Sequence, residues 1–121
     1  MSEMTRTTPY RIAVWGTGDV AGVCIREAIR RPDLEVVGAY VYNERKDGVD
    51  IGTIVGKDPI GVKATRNLEE FLAIDCDVVL YTALDIPGGP AEKDFITLLK
   101  AGKNVVTSLP YNYLPARDKN F

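Results

Sequence analysis

The apolar positions of this chain fall into two kinds of run that alternate along it. Four stretches are nearly unbroken in aliphatic, β-branched or aromatic residues: YRIAVW at 10–15, LEVVGAYVY at 34–42, CDVVLYTA at 76–83 and NVVTSL at 104–109. Strands buried on both faces of a parallel sheet need such runs. Between them, apolar residues recur every third or fourth position. In residues 19–31, Ala21, Cys24, Ile25, Ala28 and Ile29 form one stripe, and Arg26, Glu27, Arg30 and Arg31 fall opposite. That is a helix burying one face. Its spacing brings Glu27 within reach of Arg31 one turn on, and Pro32 ends it.

The remaining elements follow from local signals. IGVKAT at 60–65 predicts a further short strand. NLEEFLA at 67–73 predicts a short helix, with Asn67 as N-cap and Glu70 three residues later. Residues 90–101 predict another, with Pro90 in its first turn and Gly102 at its C-terminal cap. Residues 1–9 read as a disordered tail, and 115–121 as a second tail. The polar, glycine-rich stretch 43–59 reads as a long irregular loop, which in a compact domain is usually functional or mobile. The order β-α-β-loop-β-α-β-α-β specifies an α/β fold, a Rossmann-type doubly wound parallel sheet in a single domain over 10–114.

Composition narrows the function. The chain has 121 residues and is 45% hydrophobic, enough for a real core. Its net charge of −2 leaves no basic footprint for nucleic acid or an anionic membrane. There is no apolar run of about 18 residues and no signal peptide at the start, so a cytoplasmic location is expected. The sequence contains no histidine, which excludes a Ser-His-Asp triad, a Cys-His pair and any His-based zinc site within it. No metal is expected. Cys24 and Cys76 lack CxxC spacing and read as small hydrophobes in a reducing compartment.

The candidate chemistry sits at Gly16-Thr17-Gly18-Asp19-Val20-Ala21, which fits G-x-G-x-x-[G/A]. The pattern acquires meaning because it follows a predicted strand and opens a predicted helix. Gly16 allows the tight turn, Gly18 lets a pyrophosphate approach the backbone, and Ala21 lets helix and strand pack closely. The amides of Asp19 and Val20 then point at the anion, favoured by the helix dipole. The Asp19 carboxylate reads as a helix N-cap. A plain strand–helix turn is the alternative reading of the same glycines.

NAD-binding domains of this kind place an acid about 20 residues beyond the glycines. Here that zone reads GAYVYNERK: Tyr40, Val41, Tyr42 and Asn43 end the strand, and Arg45 and Lys46 follow. Cations there suit a 2′-phosphate, which favours NADPH over NADH. Glu44 is the competing ribose-binding acid, and a solvated charge pair is the bland alternative for Arg45 and Lys46. Ligands in open α/β sheets bind beyond the carboxyl ends of the strands. The nicotinamide end is therefore expected near Thr82, Ala83 and Leu84, after Tyr81, and near Ser108, Leu109 and Pro110, after Thr107. Tyr111 and Tyr113 can frame that site or pack at an interface. No general acid is assigned. Tyr111 reads as packing, and Lys103 as a cation at the carbonyl end of the preceding helix.

Four segments resemble the N-terminal, nucleotide-binding domain of the dihydrodipicolinate reductase family, whose relatives include 2,4-diaminopentanoate dehydrogenase and NAD(P)H-dependent amine dehydrogenases. They are IAVWGTGDVAG, GVDIGTIVG, GVKATRNLEEFLAIDCDVVLYTA and LLKAGKNVVTSLPY. The D-x-G-x-x-x-G pattern of the second is the most telling. The resemblance implies hydride transfer between NAD(P)H and an imine or carbonyl carbon, or the reverse oxidation of an amine. It also implies a homo-oligomer and a substrate domain that follows the fifth strand and carries most catalytic groups. Ending at Phe121, the chain is then expected to be truncated and inactive alone. Amine dehydrogenase relatives carry an acid just after the fifth strand, where this chain reads SLPYNY. A stand-alone nucleotide- or CoA-binding module without catalysis is the alternative.

Overall fold

The computed structural model describes residues 8–82 and 91–107. Within them the order is β1 (Tyr10–Trp15), α1 (Asp19–Arg30), β2 (Leu34–Tyr40), α2 (Ile51–Ile54), α3 (Leu68–Leu72), β3 (Val78–Tyr81), α4 (Ala91–Lys100) and β4 (Val105–Thr107). A 3₁₀ turn, Glu44–Lys46, lies between β2 and α2. The expectations placed on residues 1–7, Pro90 and the C-terminal tail fall outside the described residues.

The strands pair in parallel in the order β2-β1-β3-β4. The chain moves from β1 to β2 on one side, then returns to the other side of β1 for β3 and β4. Right-handed crossovers running in opposite directions put their helices on opposite faces. Accordingly, α1 and α2 cover an aliphatic core of Val14, Ala21, Ile25, Val36, Ala39 and Ile51. Phe71 of α3 and Leu98 of α4 close the other face over Ala13, Trp15, Val79 and Tyr81. The order reverses between β1 and β3, and sheets of this kind bind ligands in the crevice beyond the carboxyl ends of their strands at such a point.

Three sequence expectations are corrected. Residues 60–65 do not form a strand. Ala64 and Val62 bond to the 48–51 segment while Thr65 bonds to β2, through Thr65 N–H to Ala39 O and Val41 N–H to Thr65 O, each 2.9 Å. Split between two partners, the segment makes only isolated bridges, Lys63 with Asp50 and Thr65 with Tyr40. Glu27 pairs with Arg30, not Arg31. Arg31 has left the helix in an extended conformation, as the residue before a proline must, and turns its guanidinium to Asp33 at 2.8 Å. The Lys103 ammonium bonds the Ile74 carbonyl just past α3, rather than the end of α4. Both cysteines are free and half-buried, and burial pushes the Cys76 thiol up, consistent with a packing role.

Candidate functional site

The glycine loop joins β1 to α1 at the crevice. Gly16 has a φ of 105°, a conformation that favours glycine, and its N–H donates to Tyr40 O at 2.8 Å. That bond holds the loop to the end of β2. Gly18, the N-cap residue, differs. Its φ of −75° is ordinary, and a Cβ built there would meet no atom within 4 Å. Among the described residues, nothing requires glycine at that position. The helix start carries no side-chain cap, and the first N–H groups of a helix have no intrahelical partner. Asp19 is the first helical residue rather than the N-cap, and its side chain is exposed. Val20 is exposed beside it, and Ala21 is buried against the sheet.

Other predicted site residues converge on this loop. The Lys46 ammonium reaches back from the 3₁₀ turn to Thr17, 3.0 Å from its Oγ1 and 3.2 Å from its carbonyl oxygen. Asn43 spends its side-chain oxygen on the Arg45 N–H at 2.8 Å and so shapes that turn. Arg45 and Glu44 project into solvent. Thr82 donates through both its N–H and its hydroxyl to Trp15 O, each at 3.0 Å, which fastens the end of β3 to the residue before the loop. Ala83, Leu84, Ser108, Leu109, Pro110, Tyr111 and Tyr113 lie outside the described residues. Lys103 precedes β4 at the opposite, amino edge of the sheet, which removes it from the chemistry of this crevice.

The D-x-G-x-x-x-G segment builds a wall beside the loop. The Asp50 carboxylate accepts the N–H groups of Gly52, Ile60 and Gly61, each at 2.8 Å. It thereby caps α2 and closes the loop 50–61 on itself. Gly52 is packed against the backbone carbonyl of Asp58, where a Cβ has no room. Gly56, at φ 79°, ends the helix in the left-handed region. Ile51 and Val55 are thus driven into the aliphatic core. The end of α2 lies alongside α1, where Arg26 Nη1 donates to Val55 O at 3.4 Å. A cleft of about 330 Å³ opens between them, lined by Thr17, Gly18, Asp19, Gly22, Arg26 and Val55 among others.

These backbone bonds hold the Asp50 carboxyl below its usual value, led by the one from Ile60. A lowered carboxyl contributes stability above its unfolded pKa of about 3.9, lost as pH falls through the folded value. Asp50→Asn is therefore expected to melt lower than the parent near neutrality and to show a shallower loss below about pH 4. Parallel acid limbs in the two melting profiles would assign the acid sensitivity to other carboxylates.

Aromatic residues gather on the other face of the sheet, where β1 and β3 end. Trp15 Nε1 donates to the Tyr42 hydroxyl at 2.6 Å, and the Tyr81 hydroxyl donates to Asp94 Oδ2 at 2.6 Å. Burial pushes the Asp94 carboxyl up and also raises the Tyr42 phenol. Sequence reasoning missed Asp94 altogether. Its only signal was a polar residue one turn into a helix that starts at the strand ends.

A loop of this geometry on this sheet is a dinucleotide-binding architecture, and the family comparison decides which one. The model of the dihydrodipicolinate reductase N-terminus matches residues 10–86. The chain belongs to that family. An amine dehydrogenase of Streptomyces virginiae is 34% identical over 100 residues, covering 81% of this chain and 28% of its own length. The chain thus spans under a third of that relative. Among solved structures, the amine dehydrogenase of Mycobacterium smegmatis superposes with a TM-score of 0.75 at 21% identity, over 94% of this chain and 35% of that one. GenD2 from gentamicin A biosynthesis, solved in complex with NAD, superposes at 0.63 with 24% identity, over 84% of this chain and 27% of that one. The expected α/β Rossmann-type fold is what these neighbours share. Among the described residues of this reductase-family domain, no helix is long and apolar enough to cross a membrane.

Proposed function

We propose that this domain binds NAD(P)H, with NADPH preferred over NADH, as the cofactor half of an oxidoreductase acting on C=N or CH–NH2 bonds. The observation that carries the reading is Gly18, which faces open space at an uncapped helix start. A glycine that no described residue requires is accounted for by a phosphate that must approach its backbone. When bound, the nicotinamide supplies the hydride chemistry, and the protein supplies binding and orientation.

The chain's own residues divide that work. The first-turn amides of α1, from Asp19 and Val20, take the pyrophosphate. Lys46, already directed to Thr17, places a cation at the loop, and Arg45 adds a second on the same turn. Asn43 shapes the turn that carries both. Thr82 fixes the ends of β1 and β3 to each other and so sets the floor on which the ligand lies. The proposal extends to hydride transfer to an imine or carbonyl carbon in an adjoining substrate domain and to assembly as a homo-oligomer, a reading supported by the match to the reductase family and by the amine dehydrogenase relative.

Trp15 is the single tryptophan and ends the strand that enters the loop, so energy transfer from it to a reduced nicotinamide reads binding directly. Titration is expected to show saturable binding of both cofactors, NADPH the tighter. Lys46→Ala is expected to weaken NADPH about tenfold, the worth of one charge-assisted contact, and NADH less. Saturation by neither cofactor would overturn the reading and return the glycines to a turn.

A further inference from the structure

We infer that Tyr42 is a fixed aromatic platform for the adenine base of the bound nucleotide. The inference rests on the cofactor reading above and assigns a residue that the glycine motif does not include. Tyr42 lies two residues beyond β2, at the carboxyl edge of the sheet, and is 53% exposed. An exposed tyrosine in a loop is ordinarily free to rotate. This one is not. Its hydroxyl takes the Trp15 indole N–H at 2.6 Å, and its ring stands edge-to-face on Tyr40, with centroids 5.5 Å apart. Tyr40 in turn packs on Trp15 at 4.6 Å. Trp15 is the residue immediately before Gly16, so the phenol is anchored one position from the phosphate loop.

The ring therefore offers area without having to lose rotamer freedom on binding. An aromatic face stacks on any nucleobase and is indifferent to the charge at the ribose. This separates it from the Lys46 contact, which senses phosphate. The segment 42–46 thus presents two kinds of recognition: an apolar plane for the base from Tyr42, and a cation for the anion from Lys46.

The test uses the full chain with NADH, ADP-ribose and reduced nicotinamide mononucleotide, which lacks adenine. Tyr42→Ala is expected to weaken NADH and ADP-ribose about tenfold and to leave the mononucleotide unchanged. Tyr42→Phe keeps the ring and its contact with Tyr40, and is expected to stay within about threefold of the parent. Thermal midpoints of both variants report whether the fold is kept. If Tyr42→Ala binds ADP-ribose like the parent, or Tyr42→Phe loses as much as Tyr42→Ala, the platform is refuted while the cofactor reading stands. If the parent chain binds none of the three, the cofactor reading fails and this inference falls with it.

Discussion

Replacing Gly18 by alanine is expected to leave the melting temperature unchanged and to weaken NADPH by about tenfold to a hundredfold. The two halves of that outcome come from one observation. A Cβ on Gly18 meets nothing among the described residues, and its backbone is in an ordinary region. Alanine is therefore accommodated without loss of stability. On the proposed function, the methyl group instead projects into the space a pyrophosphate needs to reach the amides. Gly16→Ala is the contrasting control. At φ 105° an alanine is strained, so that variant is expected to lose stability and binding together. Calorimetric melts and a cofactor titration of the two variants separate these cases. Parent-like affinity in Gly18→Ala would show that no phosphate approaches this backbone.

Gly52→Ala is expected to lower stability by about 2–3 kcal/mol, on the order of 10 °C in melting temperature. The added Cβ is driven against the Asp58 carbonyl, a backbone atom that cannot step aside. It also crowds the Asp50 carboxylate that the Gly52 N–H depends on. Relief requires opening the loop 50–61 and withdrawing Ile51 and Val55 from the core. Gly38 provides the comparison. A Cβ there runs into the tip of Ile74, a flexible side chain with other rotamers, so Gly38→Ala is expected to be milder. Equal melting temperatures for Gly52→Ala and the parent would disprove the packing argument for this loop.

What the sequence revealed followed how local the cause was. The first strand, the first helix and the glycine turn between them are specified by neighbours within a few residues, and their boundaries emerge nearly unchanged. The Asn67 cap is equally local, its side-chain oxygen accepting the Glu70 N–H at 3.0 Å. Residues 60–65 misled because their composition suits a strand while their partners, the 48–51 segment and β2, divide them. The short helix Ile51–Ile54 was invisible inside a polar loop, since four residues are too few to express a helical period. The reach of Lys103 to Ile74 and of Lys46 to Thr17 each spans 29 positions. The bond from Trp15 to Tyr42 spans 27. No spacing rule carries contacts that depend on which strands become neighbours.

The two cores described for the sheet are unlike in kind. Among the described residues, the side covered by α1 holds only aliphatic side chains, and the side covered by α3 and α4 gathers Trp15, Tyr40, Phe71, Tyr81 and Phe95. To an optical probe the molecule is therefore one-sided. Near-ultraviolet dichroism and intrinsic fluorescence watch the aromatic half, and rearrangements confined to the aliphatic half pass in silence. Trp15 carries that view to the crevice, because the strand that ends in its indole runs on directly into the glycine loop.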